Sequence, residues 1–318
     1  MRLIRHIFYN IFLRKNIPTT VVMGLTYRCQ CNCSHCSIDK DNKNSMIPEM
    51  DTTEVKKCID EIVDLGSIKV NFFGGEPSMR SDIIELVRYA SSKKLFVFLD
   101  TNGFLLDESL VVQLKRAGVS CVTVSIDSFK EDEHDLSRGE KGSYKRAIKA
   151  VENCLKVKIP CVISTIATND SISSGKLRRV ILEAKMMRVN GVRILLPMLS
   201  GKWHNKKEYL LSEESWKKLA LFFDPGFVYF ENGFLTRHND KFEIVCPAAI
   251  KRLIYISPHG FIHPCYTVPY SFGNVKKTRL KEIVNNMWKH PLMKSPPQNV
   301  CLINDESYRR LLMDYKEI

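Results

Sequence analysis

The sequence predicts an α/β fold built on a parallel sheet, and two observations support this. From residue 20 to residue 197, short apolar runs typical of buried strands alternate with segments whose apolar residues recur at helical spacing. Because a crossover between parallel strands needs a long connection such as a helix, this alternation favours parallel pairing. The predicted strands span 20–25, 68–73, 95–100, 120–126, 161–167 and 192–196, and the predicted helices span 53–65, 81–93, 108–117, 143–157 and 174–189.

The last third of the chain has a different pattern. Residues 203–223 show helical spacing, and residues 278–289 predict one more helix. Between these segments, residues 250–256 and 261–265 flank the turn sequence Ser257-Pro258-His259-Gly260, which is typical of a β-hairpin. We therefore expect a small unit of hairpin and helix after the parallel sheet.

The composition indicates a cytoplasmic protein with reduced thiols. The chain of 318 residues is 44% hydrophobic, and it contains 11 cysteines, which is an odd number for a disulfide framework. No secretory signal is recognisable, and no run of about eighteen apolar residues predicts a membrane span. Cys58, Cys121, Cys154 and Cys161 fall in predicted strands and helices, so we expect them to pack in the core.

The net charge and residues 1–17 both indicate the kind of partner that the protein binds. A net charge of +13 attracts anionic ligands, although it can also serve solubility alone. Residues 1–17 predict an amphipathic basic helix with Ile4, Ile7 and Ile11 on its apolar face. Such a helix either packs on the fold or lies on a membrane surface. We expect packing, and peripheral membrane contact is the alternative.

Cys29, Cys33 and Cys36 form the most informative motif of the chain. Three thiolates spaced Cys-x3-Cys-x2-Cys can ligate three irons of a 4Fe–4S cubane, which leaves the fourth iron open to a small molecule. A bare run of three cysteines can also be half of a zinc site. Gly74-Gly75-Glu76-Pro77 follows the second predicted strand, as the cysteine run follows the first. In parallel α/β barrels the carboxyl ends of the strands carry the chemistry, so both motifs fall on one rim.

Together these motifs resemble the radical S-adenosylmethionine (SAM) superfamily over residues 20–200. The resemblance implies a partial (β/α)6 TIM-like barrel over residues 18–200. It also implies a 4Fe–4S cluster held by Cys29, Cys33 and Cys36, with SAM at the open iron. An electron from a reductant such as flavodoxin or ferredoxin would cleave SAM to the 5′-deoxyadenosyl radical. The enzyme would then abstract hydrogen from a substrate C–H, as an oxidoreductase-type radical SAM enzyme.

The resemblance also assigns expected roles to single residues. It places His35 beside the adenine, Leu195 at a backbone contact with the adenine, and Arg138 on the SAM carboxylate. It further implies SAM contacts at the ends of the second, third and fourth strands, by Gly74, Gly75, Glu76, Asn102, Ser125 and Asp127. Cys31 lies inside the cysteine run but off the family spacing, so we expect it not to be a ligand.

Residues 201–318 resemble the SPASM and Twitch auxiliary-cluster domains. Cys246 is followed by thirteen residues, Gly260, four residues and Cys265, and Cys301 is a third candidate ligand. Asn304 stands where a Twitch domain commonly has its last cysteine. The resemblance therefore implies an auxiliary 4Fe–4S cluster with three cysteine ligands. Its fourth iron would be open to substrate or filled by Asn304 or Asp305, and a vestigial domain without a cluster is the alternative.

The resemblance implies maturation of a ribosomal peptide or of a small-molecule natural product, with an oxidised or cross-linked product. Three other hypotheses stay open: a membrane lipid substrate, a nucleotide or RNA substrate, and a non-catalytic iron–sulfur protein. No RNA-binding module is recognisable, which argues against a nucleic-acid partner. Substrate, product and oligomeric state are not indicated by the sequence.

Overall fold

The computed structural model describes residues 16–38, 46–230, 234–238 and 241–315, and for 234–238 and 241–244 it describes the backbone alone. Apart from residues 16 and 17, the predicted amino-terminal helix lies outside the described residues. None of the described helices is long and apolar enough to cross a membrane.

The six predicted strands form a parallel sheet in chain order, which confirms the predicted α/β fold. They are β1 (Thr20–Thr26), β2 (Lys69–Gly74), β3 (Phe96–Thr101), β4 (Cys121–Ser125), β5 (Cys161–Ile166) and β6 (Gly191–Leu195). Each boundary lies within one residue of the prediction, because apolar runs bounded by polar turns mark buried strands clearly.

Helices cover the sheet between its strands. They are α1 (Thr52–Leu65), α2 (Ile83–Ser92), α3 (Glu108–Ala117), α4 (Glu131–Arg138), α5 (Ser143–Lys156), α6 (Asn169–Ser173) and α7 (Lys176–Met186). Two of these, α4 and α6, were not predicted. Helix α4 buries only His134 and Arg138, so it lacks an apolar stripe, and α6 is too short to show one.

The carboxyl-terminal part extends the barrel sheet at both edges. Strand β7 (Val228–Phe230) pairs parallel to β6, and β10 (Leu253–Ile256) pairs parallel to β1. Strand β11 (Ile262–His263) then pairs antiparallel to β10, so the predicted hairpin exists but is shorter than expected. The sheet therefore has nine strands in the order β11-β10-β1-β2-β3-β4-β5-β6-β7. A separate ribbon consists of β8 (Phe234–His238) and β9 (Lys241–Val245).

The remaining helices pack mainly against other helices. They are α8 (Glu213–Ala220), α9 (Leu280–Lys289), α10 (Pro291–Lys294) and α11 (Glu306–Asp314). The helix predicted over 203–223 is confined to α8, and two short 3-10 turns, Gly201–Trp203 and Lys207–Tyr209, precede it. Helix α9 packs on α1, where its first backbone N–H donates to the Glu61 carboxylate. The division of the chain at residue 200 stays a prediction.

Candidate functional site

A cavity at the carboxyl ends of the strands collects most of the predicted site residues. It encloses about 940 Å³ of empty space, part of it open to solvent. Its walls come from the cysteine loop after β1 and from the ends of β2 to β6. The predicted site residues that line it are Cys29, Cys33, His35, Cys36, Gly74, Gly75, Asn102, Ser125, Arg138 and Leu195. Glu76 and Asp127 do not line it.

Backbone hydrogen bonds hold the cysteine loop from two sides. On one side, Asn32 N–H donates to the Arg138 carbonyl at 2.9 Å, and Ser34 N–H donates to the Ser137 carbonyl at 2.9 Å. On the other side, Lys202 N–H donates to the Cys36 carbonyl at 2.9 Å, and Lys202 Nζ donates to the Asn32 carbonyl at 2.8 Å. The loop is thus fixed between the end of α4 and residues 200–204, which we call the strap.

The two glycines after β2 let the second motif lie directly against the first. A Cβ on Gly75 would stand 2.2 Å from the Arg28 carbonyl oxygen, and one on Gly74 would stand 2.3 Å from that of Thr26. Gly74 also has a φ of +144°, which side chains rarely adopt. In this close packing Gly75 N–H donates to the Thr26 carbonyl at 2.7 Å. Glycine is therefore required for the contact between the cysteine loop and β2.

Glu76 has its hydrogen bonds inside the protein and is 0% exposed. Its carboxylate accepts from the Thr101 hydroxyl at 2.8 Å, the Asn102 N–H at 2.8 Å and the Ser78 N–H at 3.1 Å. Burial raises the pKa of Glu76, although these hydrogen bonds act in the opposite direction. This geometry favours a role in joining the ends of β2 and β3. The expected contact of Glu76 with the SAM amino group stays a prediction.

Cys31 differs from Cys29 and Cys33 in the direction in which its pKa is shifted. Its thiol lies in hydrogen-bonding contact with Cys29 and with Cys33, which lowers the pKa of Cys29 and lowers that of Cys33 to about 5. The same contacts raise the pKa of Cys31 far above its usual range. These contacts favour the thiolate at Cys29 and Cys33 over that at Cys31, and the expectation that Cys31 is not a ligand stays a prediction.

Arg138 connects the cysteine loop with Asp127. Its Nη2 lies 2.9 Å from Asp127 Oδ1, and its Nη1 lies 3.9 Å from Cys33 Sγ. Burial alone would raise the pKa of Asp127, but the charges of Arg138 and His35 lower it to about 2. Arg138 lines the cavity, and within the described part of the chain its buried Nε has no hydrogen-bond partner. An anionic group such as a carboxylate would satisfy this donor.

The sequence-based prediction did not include a buried charged pair that lines the first cavity. Arg193 on β6 donates from Nη1 to Asp100 Oδ2 on β3 at 3.0 Å, and from Nε to Ser164 Oγ at 3.2 Å. Asn71 on β2 also donates to Asp100, at 2.8 Å. The available signal was the arginine itself, because a charged residue inside the apolar run Val-Arg-Ile-Leu-Leu needs a buried partner. Met198 and Tyr266, which also line the cavity, had no signal in the sequence.

The cysteines of the carboxyl-terminal part also lie close together. Cys246 and Cys265 both raise the pKa of Cys301 through their charges, after the larger effect of burial. Backbone N–H groups point at these sulfurs: those of Ala248, Ala249 and Leu302 at Cys246, and those of Ile303 and Asn304 at Cys301. Burial is the larger effect and raises the pKa of Cys246 and of Cys301, whereas these backbone donors act in the opposite direction and would stabilise the thiolates that bind iron. The residues present therefore fit an auxiliary cluster.

The two side chains expected to complete that site are engaged elsewhere. Asn304 Nδ2 donates to the Pro197 carbonyl at 2.8 Å, and its Oδ1 accepts from Leu199 N–H at 2.9 Å. Asp305 caps α11, where its Oδ1 accepts from Tyr308 N–H at 2.7 Å. This arrangement favours a fourth position open to an external ligand.

A second cavity adjoins the first. It encloses about 1370 Å³ of empty space, and Ser37, Ile38, Phe73 and Tyr266 line both cavities. The described residues that line the second cavity include no Asp, Glu, Lys or Arg. Thr267, Val268 and Ile303, which neighbour the auxiliary cysteines in the chain, also line it.

The donors around the first cavity fit an iron–sulfur cluster. Within the described ranges, no three His, Cys, Asp or Glu side chains converge on one point as they do around a single metal ion. A cubane presents its irons at separate corners, so its thiolate ligands lie further apart. Three cysteines and an unpartnered arginine donor around one cavity fit a cluster with an anionic ligand at its open iron.

We predict that Gly201→Ala weakens the hold of the strap on the cysteine loop. Gly201 has a φ of +54°, and a Cβ there would stand 2.2 Å from the Cys36 carbonyl oxygen. The strap must then move away from Cys36, so cluster absorbance should be lost several-fold faster in air. Gly175→Ala is the matched control, because Gly175 has a φ of +79° and nothing within 4 Å. It should cost about 1–2 kcal/mol of stability without this effect. Equal decay in both variants would contradict the prediction.

Two family models match the chain. The model of the radical SAM superfamily matches residues 23–171, and that of an iron-sulfur cluster-binding domain named SPASM matches residues 246–301. The first range contains the cysteine loop and the strand-end motifs of the first cavity. The second range begins at Cys246 and ends at Cys301, the outer two of the three auxiliary cysteines.

Curated relatives with known activities align with most of the chain. The AdoMet-dependent heme synthase of Methanosarcina barkeri is 26% identical in an alignment 295 residues long that covers 85% of this chain and 83% of that protein. The PqqA peptide cyclase of Gluconobacter oxydans is 26% identical in an alignment 279 residues long that covers 84% of this chain and 76% of that protein.

Solved structures share the fold. SuiB of Streptococcus suis bound to its precursor peptide SuiA superposes with a TM-score of 0.70 at 15% identity, over 91% of this chain and 69% of that chain. The structure of SuiB bound to S-adenosylmethionine also gives a TM-score of 0.70, at 14% identity, over 94% of this chain and 77% of that chain.

Proposed function

The chain belongs to the radical SAM superfamily and carries a SPASM domain, and from this premise we propose that it is an enzyme that cleaves SAM reductively. The 5′-deoxyadenosyl radical formed would abstract hydrogen from a substrate C–H. The observation that carries the proposal is the first cavity, where Cys29, Cys33 and Cys36 face the glycine-rich end of β2. When bound, the cluster supplies the electron that breaks the sulfonium bond.

The residues of this chain would position SAM and exclude water. Cys29, Cys33 and Cys36 would hold the cluster, and the unpartnered Nε of Arg138 would bind the SAM carboxylate. The strap covers the cysteine loop at Cys36 and limits the access of solvent to it. Gly74 and Gly75 line the cavity through their backbone, where carbonyl groups can accept from the SAM amino group.

The second cavity is the proposed substrate site. It shares lining residues with the first cavity, and it is also lined by Thr267, Val268 and Ile303, which neighbour the auxiliary cysteines in the chain. Two buried polar atoms on its lining residues, Ser200 Oγ and His259 Nε2, have no hydrogen-bond partner among the residues that the structure describes. His259 Nδ1 lies 3.4 Å from the Pro48 carbonyl, so the proton belongs on Nδ1 and Nε2 is an acceptor. An uncharged group that carries an N–H or O–H donor would satisfy these atoms.

We propose a ribosomal peptide as the substrate, with an oxidised or cross-linked product. The uncharged lining suits a neutral side chain of a peptide, and a PqqA peptide cyclase aligns over 84% of this chain. Cys246, Cys265 and Cys301 would hold an auxiliary cluster, which when bound would supply an electron acceptor for this oxidation. A flavodoxin or ferredoxin remains the proposed reductant.

A second candidate substrate is an anionic small molecule of the tetrapyrrole class. A heme synthase aligns over 85% of this chain, and the net charge of +13 would attract carboxylates to the surface. The uncharged lining of the second cavity favours the peptide instead.

Anaerobic reconstitution tests the proposed activity. The reconstituted protein, reduced with dithionite in the presence of SAM, should form 5′-deoxyadenosine, which mass spectrometry detects. The same protein without reductant is the control and should form none. A protein that binds iron and sulfide but cleaves no SAM would instead be a non-catalytic iron–sulfur protein.

A further inference from the structure

Asn102 contacts the cysteine loop through its side chain. The residue follows β3, is 9% exposed, and lines the first cavity. Its Nδ2 donates to Cys29 Sγ across 3.7 Å. Its backbone N–H is held separately by Glu76 Oε2 at 2.8 Å. The end of β3 is thereby attached to both motifs of the site.

The orientation of the Asn102 amide follows from its other partners. Its Oδ1 accepts from Phe104 N–H at 2.9 Å and from Gln30 Nε2 at 3.0 Å. A backbone N–H can only donate, so the end of the amide that faces Phe104 must be the oxygen. The NH₂ end is therefore the one that faces Cys29. Turning the amide over would place two donors against each other at Phe104.

We propose that Asn102 is a positioning residue that donates its N–H to the Cys29 thiolate and thereby raises the reduction potential of the SAM-binding cluster. A hydrogen bond to a ligand sulfur stabilises negative charge on it, and the reduced cluster carries one more negative charge than the oxidised cluster. The donor therefore favours the reduced state. The inference rests on the proposed function, because it requires Cys29 to hold the cluster.

The contact assigns Asn102 a role other than the SAM contact that the family resemblance implies. A residue that binds SAM changes the affinity for SAM and leaves the SAM-free cluster unaltered. A residue that donates to Cys29 changes the potential of the cluster before SAM is present. The two roles are therefore separable by experiment.

The experiment is an EPR-monitored reductive titration of the reconstituted full chain without SAM. The SAM-binding cluster is identified in a parallel sample as the signal that changes when SAM is added. Asn102→Ala and Asn102→Ser both remove the N–H donor. Asn153→Ala is the matched control, because Asn153 is equally a buried amide, 2% exposed, but donates to the Leu106 carbonyl away from the cavity.

We expect the midpoint potential to become more negative in both Asn102 variants and to stay unchanged in Asn153→Ala, with SAM affinity close to that of the unaltered protein. An unchanged potential in Asn102→Ala or Asn102→Ser overturns the inference. If the potential is unchanged and SAM affinity falls, Asn102 is a SAM ligand instead. If one variant does not retain its cluster, the other decides. Absence of a SAM-responsive cluster signal in the unaltered protein would refute the proposed function itself.

Discussion

Replacing Cys29, Cys33 or Cys36 by alanine is expected to abolish the formation of 5′-deoxyadenosine by the reduced protein. Each replacement leaves one iron of the cluster without its thiolate, so the cluster that delivers the electron is lost or altered. The loss should be complete, because no other group lining the cavity can cleave the sulfonium bond. Deoxyadenosine measured over time by mass spectrometry, with iron content measured on the same samples, checks this.

Cys31→Ala is the control for these variants. Cys31 is 4% exposed and lies in the same loop, but its pKa is raised by its contacts with Cys29 and Cys33. Its replacement should leave cluster content and SAM cleavage nearly unchanged. Loss of the cluster in Cys31→Ala would show that the wrong third ligand had been assigned. Full activity in the triple alanine variant of the three predicted ligands would refute the radical mechanism.

Replacing Cys246, Cys265 and Cys301 together by alanine is expected to halve the iron content. Two cubanes amount to about eight irons per chain, and one amounts to about four. Reductive cleavage of SAM should persist, because the first cavity is unaltered. Formation of the oxidised product should be lost, because the substrate radical no longer has its electron acceptor. Iron and sulfide analysis, together with deoxyadenosine and product measurements, distinguishes these effects.

The matched control replaces three cysteines that pack in the core. Cys121, Cys154 and Cys161 are buried and lie away from both cavities. Their triple alanine variant removes the same number of thiols and should keep about eight irons. If the auxiliary triple variant also kept its full iron content, the SPASM part of this chain would hold no cluster through these residues.

The sequence was sufficient for the parallel sheet and for the position of the cysteine loop. Apolar runs and helical spacing are local properties, and strands β1 to β6 follow from them within one residue at each end. The carboxyl ends of parallel strands share one rim, so the order of motifs along the chain already placed Cys29 and Gly74 together. The close backbone contact at Gly74 and Gly75 could also be predicted, because glycine is the residue that lets two backbone segments approach closely.

Contacts between distant segments required the tertiary structure. Arg138 reaches Cys33 across 105 positions of sequence, and Asn304 reaches Leu199 across another 105. The sequence predicted neither the inward turn of Glu76 nor the contact of Asn102 with Cys29. Such contacts depend on the register of neighbouring strands and on which rotamer the packing permits, and residue spacing encodes neither.

At the edges of the sheet, too, the sequence predicted the elements and the tertiary structure decided how they pair. The hairpin around Gly260 was predictable, because turn residues between apolar runs mark it locally. Its strand β10 nevertheless pairs with β1, more than two hundred residues earlier in the chain, and extends the barrel sheet. Which edge a strand joins depends on the apolar surface that each pairing buries. The sequence by itself therefore determined the elements and the chemistry of the cysteine loop, whereas the tertiary structure decided which side chains face the cavity and which support it from within the protein.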